Sequence, residues 1–315
     1  MSKYIIGVDL GGTKIAVALA TQQGKIIKDI FLPTPKTSAN DIYKAIKKAI
    51  KKVQYPYNKS KISCIGFGIP GIYDLKKGKV INAPNLKLWN GFELLKKLKK
   101  DYKIPIKLDN DANAAALAEN LFGAGKKYHN FVYLTVSTGI GGGIIIHKQI
   151  YYGSHNTAGE IGHTIIETAK GMALKNSGTV ENLASGTALS KIAAKKCKVS
   201  SYIYKLCHGK RNNIDAQLVF EAAKKGDKLA KSLIRENGEF LAATMVNIAN
   251  ILDPEVIIIG GGMANNGHPF FDSIKKGLKH FELMTTDKKI KILPAKLKKH
   301  SGLYGAIALA MSGSK

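Results

Sequence analysis

Short apolar runs broken by small polar turns open the chain. Tyr4–Leu10, Thr13–Ala20 and Lys25–Leu32 are separated by Gly11-Gly12 and by Gln22-Gln23-Gly24, which predicts an antiparallel meander of three strands. The period then changes. Ile42, Ala45, Ile46 and Ile50 recur at three- and four-residue intervals and predict a helix over Asn40–Val53. A buried strand at Ile62–Gly68, a helix at Phe92–Tyr102, a strand at Ile104–Leu108 and a helix at Ala112–Phe122 follow. The opening then repeats: Phe131–Val136, the glycine-rich turn Thr138–Gly141, Gly142–His147 and a short strand at Gln149–Tyr152. Helices are predicted near Thr187–Cys197, Asp215–Ala223 and Lys228–Ile251. The apolar strand Val256–Ile259 runs into Gly260-Gly261-Gly262, and a helix, the strand Ile290–Leu293 and a last helix, Leu303–Met311, close the chain.

A meander followed by alternating helices and strands, written twice, predicts a duplicated two-lobed α/β fold with an interdomain cleft. The expected lobes are a smaller one over 1–118 and a larger one over 119–299, with the last helix, about 300–315, packing back onto the first.

Composition narrows the class. The 315 residues are 45% apolar and 23% charged, which excludes a disordered chain. No apolar run approaches the roughly 20 residues that span a bilayer. Met1-Ser2-Lys3 leads straight into the first strand, so no secretory leader is expected. Cys64, Cys197 and Cys207 form no C-x-x-C pair, which points away from a disulfide framework or zinc ribbon and toward a reducing, cytoplasmic address. The formal net charge is +27, yet only Arg211 and Arg235 are arginines. Nucleic-acid readers favour the bidentate guanidinium fork, so paired lysines such as Lys47-Lys48 and Lys96-Lys97 read as a solvated surface. No specific nucleic acid and no membrane are expected as partners.

Candidate chemistry gathers at glycine-rich turns. Gly11-Gly12, with Asp9, Thr13 and Lys14 beside it, and Thr138-Gly139 occupy equivalent places in the two repeats. A lone Gly-Gly is a hairpin turn; two in equivalent places suit polyphosphate, since backbone amides can line a concavity free of Cβ atoms. Gly260-Gly261-Gly262 ends a parallel-type strand, where open sheets bind ligands. Two near-matches fail. Gly66-Phe67-Gly68-Ile69-Pro70-Gly71 has the dinucleotide spacing, but Pro70 and the turn at Asp74–Gly78 leave no helix to receive a pyrophosphate. Gly7–Lys14 approaches a P-loop, but reads Gly12-Thr13-Lys14 and is followed by a strand.

In Asp109-Asn110-Asp111-Ala112-Asn113, Asp111 is expected to N-cap the Ala-rich helix. Its alternative role is a general base, kept ionised by the positive helix end. Glu160-Ile161-Gly162-His163 has the spacing of half a di-iron site, but the second copy that such a site needs is absent. With Glu181, Glu160 and His163 form a polar set suited to a polyhydroxylated substrate.

These motifs, in order, resemble those of the ROK sugar kinases (repressor, open reading frame, kinase) in the actin/hexokinase superfamily. The likeness runs from Asp9-Leu10-Gly11-Gly12-Thr13-Lys14 through Ala83-Pro84-Asn85-Leu86, Asn110-Asp111-Ala112-Asn113 and Ser137-Thr138-Gly139-Ile140-Gly141. It continues through Ala158-Gly159-Glu160-Ile161-Gly162-His163 and Ala184-Ser185-Gly186-Thr187 to Leu252-Asp253-Pro254 and Gly260-Gly261-Gly262. The resemblance implies an actin-like (ribonuclease H-like) ATPase fold and an ATP- and Mg²⁺-dependent hexokinase, with glucose as substrate. N-acetylglucosamine, N-acetylmannosamine or fructose kinases are the alternatives within the class, and a non-catalytic sugar sensor is the alternative outside it. By the same implication Asp111 is the base, and Asn85, Asn110, Glu160, His163 and Glu181 hold the sugar. Gly11, Gly12, Thr13, Lys14, Thr138 and Gly139 cradle the phosphates, with Asp9 near Mg²⁺ and Gly261 and Gly262 against the adenosine. A homodimer is common in the family. Two departures stand out. The family's zinc cysteines are replaced by Met172, Leu174 and Thr179, so no structural zinc is expected. The helix-turn-helix that precedes the first strand in repressor members is not expected either.

Overall fold

The structure, a computed structural model, describes residues 3–57, 61–74, 79–168, 178–281 and 290–312. The chain divides into two compact units, residues 1–126 with 299–315, and residues 127–298. No helix among the described residues is long and apolar enough to cross a membrane.

The first unit is built on a five-stranded sheet. β1 (Tyr4–Leu10), β2 (Lys14–Thr21) and β3 (Ile26–Pro33) form the antiparallel meander. α1 (Ala39–Gln54) follows, its N-cap Ser38 accepting from the Asp41 amide at 3.1 Å and burying Ile42, Ile46, Ile50 and Val53. β4 (Ile62–Ile69) lies parallel to β1. A small hairpin, β5 (Ile72–Asp74) with β6 (Lys79–Asn82), and a 3-10 turn at Pro84–Trp89 come next. α2 (Leu94–Asp101), β7 (Ile106–Asn110) and α3 (Asp111–Phe122) complete the run.

The sheet order is β3-β2-β1-β4-β7. β1, β2 and β4 are buried on both faces, which is why they read as continuous apolar runs. Val8, Val17, Ile65 and Phe67 pack toward Ile42, Ile46, Ile50 and Leu98. The alternate positions Ile5, Ala16, Ala18 and Cys64 pack against Leu303, Ile307 and Ala310 of the C-terminal helix, Ser301–Ser312.

Two elements of this unit start two residues later than the periodicity predicts. β7 pairs from Ile106, because Pro105 has no N–H and contributes only its carbonyl, which accepts from the Ile65 amide at 3.0 Å. α2 begins at Leu94, since the Phe92 amide is tied to the Trp89 carbonyl at 2.9 Å and continues the preceding turn.

The second unit repeats the sheet. β8 (Phe131–Val136), β9 (Ile140–Ile146) and β10 (Gln149–Ile150) form its meander. The short helices α4 (Val180–Ala184), α5 (Gly186–Lys196), α6 (Tyr202–Leu206) and α7 (Ala216–Lys224) precede the long α8 (Lys228–Leu252). α8 is N-capped by Asp227 and ends where Asp253 turns left-handed, φ 39°, ahead of Pro254. β11 (Val256–Gly260), α9 (His268–Leu278) and β12 (Ile292–Pro294) follow, and the C-terminal helix is α10. The order β10-β9-β8-β11-β12 matches that of the first sheet position for position, with both added strands parallel to the first.

Candidate active site

In the first unit, β1, β4 and β7 end together. Their pairing aligns Asp9 with Gly68 and Gly68 with Asp109, so acidic residues flank a position that has no side chain. Asp109 is buried, and its Oδ1 accepts from the Asn110 amide at 2.8 Å and from Asn113 Nδ2 at 3.0 Å. Asn110 Oδ1 accepts from the Asn113 amide at 2.7 Å. Asn110 is therefore the N-cap of α3, and the expectation that Asp111 caps it is corrected. Asn110 keeps extended backbone, φ −68° and ψ 161°, while Asp111 is already the first helical residue. From there its exposed carboxylate sits in the first turn, where the helix dipole favours negative charge.

Asp9 points to the same end of the sheet. Burial pushes its carboxyl up to about 6 from 3.8, the charge of Asp111 adds to the rise, and Lys14 opposes it. Lys14 also lays its ammonium 4.8 Å from the centre of the Phe31 ring. The turn between Asp9 and Lys14 is closed by the Gly11 amide donating to the Lys14 carbonyl at 2.8 Å. Thr34 braces it from the end of β3: its hydroxyl donates to the Gly11 carbonyl at 2.7 Å and its amide to the Thr13 carbonyl at 2.9 Å. Lys36 Nζ donates to the Gly12 carbonyl. The Gly11 amide thus belongs to the hairpin, and an anion at this turn would meet the amides of Gly12 and Thr13. Asn85 lies on the 3-10 turn Pro84–Trp89.

In the second unit the equivalent turn joins β8 to β9. The Ser137 amide donates to the Gly139 carbonyl at 2.8 Å, and the start of α5 holds the turn from outside: Gly186 N–H donates to the Ser137 carbonyl at 2.7 Å and Thr187 N–H to the Thr138 carbonyl at 3.3 Å. Glu181 Oε2 accepts from the Ile140 amide at 2.8 Å. A cavity of about 900 Å³ opens beside this turn, lined by Ser137, Thr138, Gly186, Thr187, Gly262 and Asn265, with Lys191, Arg211 and Lys224 adding positive charge. Gly261 has φ 89°, and a Cβ there would lie 2.7 Å from the Val136 carbonyl carbon. The chain can pass that close to β8 only without a side chain.

Glu160 precedes, and His163 ends, a short 3-10 turn, Ile161–His163, with His163 Nε2 3.8 Å from Glu160 Oε2. The Val180 amide donates to the Thr164 carbonyl at 2.9 Å and brings α4, with Glu181, alongside. Of the three positions tied to zinc in the sequence, Met172 and Leu174 fall outside the described residues. The third, Thr179, caps α4 by accepting from the Asn182 amide at 3.4 Å. Among the described residues no cluster of three or more His, Cys, Asp or Glu could hold a metal ion.

The ROK family profile matches residues 5–312. The chain belongs to the ROK family. A glucokinase of Halalkalibacterium halodurans is 35% identical over 288 residues, covering 89% of this chain and 86% of that protein. A xylose repressor of Caldicellulosiruptor bescii is 31% identical over 314 residues, covering 98% of this chain and 78% of that protein. The ROK family glucokinase of Streptomyces griseus, solved in complex with glucose and AMPPNP, superimposes with a TM-score of 0.81 at 32% identity, covering 98% of this chain and 100% of that one. The repeated strand order is the duplicated α/β architecture of these ROK, actin-like sugar kinases.

Within this ROK chain the structure groups Asp9, Lys14, Asn110 and Asp111 at one sheet end, and Thr138 and Gly262 at one cavity. Sequence reasoning misses the bracing residues. Asp109 and Asn113 stand within the recognised Asp-Asn-Asp-Ala-Asn run, yet only the side-chain hydrogen bonds show what they do. Thr187 is signalled by Ser185, an N-cap that accepts from the Ala188 amide at 3.1 Å. Asn265 carries no sequence signal at all.

Proposed function

We propose that this chain is an ATP-dependent hexose kinase that transfers the γ-phosphoryl group to the 6-hydroxyl of glucose. The observation that carries the reading is the Asp9–Asp111 pair at one sheet end, in a chain whose ROK relatives include glucokinases.

Asp111 is the general base. Its carboxylate accepts the 6-hydroxyl proton as the new O6–phosphorus bond forms and the bond from the γ-phosphorus to the bridging oxygen breaks, releasing ADP. Phosphoryl transfer passes through a loose transition state, so the base has to orient the hydroxyl more than to abstract its proton strongly. A first-turn carboxylate fits that task, since the dipole keeps it ionised and exposure leaves it reachable. Asn85, Asn110, Glu160 and His163 serve the hexose hydroxyls, while Glu181, which accepts from the Ile140 amide, holds the turn at Thr138. The cavity beside Thr138 takes the nucleotide, with Gly261 and Gly262 at the adenosine and Lys191 and Arg211 offsetting phosphate charge.

Mg²⁺ usually keeps several waters and binds through one or two carboxylates plus substrate phosphates, so it does not need a three-residue cage. Asp9 fits that requirement: neighbouring carboxylates disfavour each other's ionisation, and a cation relieves this. When bound, the ion neutralises charge on the transferring phosphoryl group. Gly12, Thr13 and Lys14 do the same from the chain itself.

The test is ADP release with Mg-ATP against a panel of glucose, fructose, mannose, N-acetylglucosamine and N-acetylmannosamine, with a no-sugar control. Glucose-dependent turnover is the expected result. Turnover on another sugar keeps the mechanism and replaces the substrate. Sugar binding without turnover overturns the kinase reading in favour of a sensor, the role implied by the name of the xylose repressor relative.

A further inference from the structure

The carboxylate of Asp9 rests against the first turn of α10, a helix that starts 292 residues later in the sequence. Asp9 shares the β1 face of Ile5, the face that α10 covers through Leu303, Ile307 and Ala310. At Gly302 a Cβ would lie 2.6 Å from the Asp9 carboxyl carbon and 2.8 Å from Oδ1. That space is occupied by the carboxylate.

We propose that Gly302 is a positioning residue for phosphoryl transfer, its missing side chain being what lets the Asp9 carboxylate stand beside Asp111. The inference deepens the kinase reading and rests on it. Gly302 has helical backbone, so its conformation does not demand glycine, and alanine would favour the helix. What alanine cannot do is share the space. The atoms it meets are the free end of a side chain, which moves at little cost, whereas backbone would not. The Asp9 carboxylate therefore swings away while the fold stays intact. Three residues on, Gly305 presents the opposite case. A Cβ there would lie 2.7 Å from both the carbonyl carbon and oxygen of Ala114 in α3, and backbone cannot step aside. One glycine of the same helix makes room for a functional carboxylate, and the other for a helix contact.

Gly302→Ala should melt at or above the wild-type temperature and bind glucose within about threefold of wild type. Its kcat should fall about 10²-fold, the cost of an ångström-scale displacement in an active site. In an Asp9→Ala background, where no carboxylate remains to displace, Gly302→Ala should lower the residual rate no further. Gly305→Ala should lose melting temperature and rate together. Wild-type kcat in Gly302→Ala overturns the assignment, and so does a melting temperature well below wild type. A second loss of equal size in the Asp9→Ala background also overturns it, since the effect would then bypass Asp9. A wild-type chain that turns over no sugar overturns the kinase reading itself, and this assignment with it.

Discussion

The turns at residues 10–14 and 136–140 occupy the same place in the same sheet order, between the first and second strands of a meander, yet they are held differently. The first is braced within its own sheet: Thr34, at the end of the third strand, takes two of its carbonyls. The second is braced from outside, by the N-terminus of α5 and by the Glu181 carboxylate from α4. That difference decides what each turn can do. A sheet-braced turn leaves the end of its first strand open to carry Asp9 beside Asp111. A helix-braced turn brings an N-terminus and the Gly262–Asn266 segment around a cavity sized for a nucleotide. Duplication supplied two equivalent turns, and the elements packed behind them gave one the acids and the other a cavity.

The sharpest way to break this contrast is to remove the acid. Asp111→Ala should lower kcat by roughly 10²–10⁴-fold with glucose affinity nearly unchanged, measured by ADP release and by calorimetry. Near-normal turnover would take the base role from Asp111. On the other side, Gly261→Ala combines φ 89° with a backbone collision at Val136. It should lower stability by more than about 1 kcal/mol and raise the KM for ATP, leaving the glucose KM alone. An unaltered melting curve would show that the segment after β11 is not constrained by β8.

The acidic side should also show a stability cost. Asp9 has a folded-state pKa of about 6 against 3.8 unfolded, so the folded chain binds the extra proton between those values. Stability therefore falls as pH rises from about 4 to 6, and the penalty is fully present at neutral pH. Asp9→Asn should remove up to roughly 3 kcal/mol of it, an upper bound because the group keeps some contact with water. The expected signature is a raised melting temperature at pH 7.5, an advantage that shrinks toward pH 4. The smallest effect concerns Glu181. Removing a charged acceptor costs about tenfold, so Glu181→Ala should raise the KM for ATP by that factor, and Glu181→Gln, which keeps an acceptor for the Ile140 amide, by less than threefold. A change in the glucose KM alone would instead return Glu181 to the sugar.

The repeated meander, the helices with strong apolar spacing and the glycine turns were legible in the sequence because each is a local property of strand alternation, helical period or turn chemistry. The resemblance to ROK kinases rested on the same local runs. Elements set by partners were not legible. The β5–β6 hairpin, the 3-10 turn at Pro84–Trp89 and the short helices α4 and α6 are too brief for a period to register. The N-cap of α3 moved from Asp111 to Asn110 because backbone angles, not residue type, choose between two good cappers.

By itself, then, the sequence determined the order of elements, the duplication and the residue types capable of the chemistry. Only the tertiary structure decided which of them meet. It set Asp9 against Gly302 across nearly the whole chain, and tied Glu181 to the Ile140 amide forty-one residues away. Such contacts are fixed by packing between distant segments, where the space one side chain leaves empty is visible only once its neighbour occupies it.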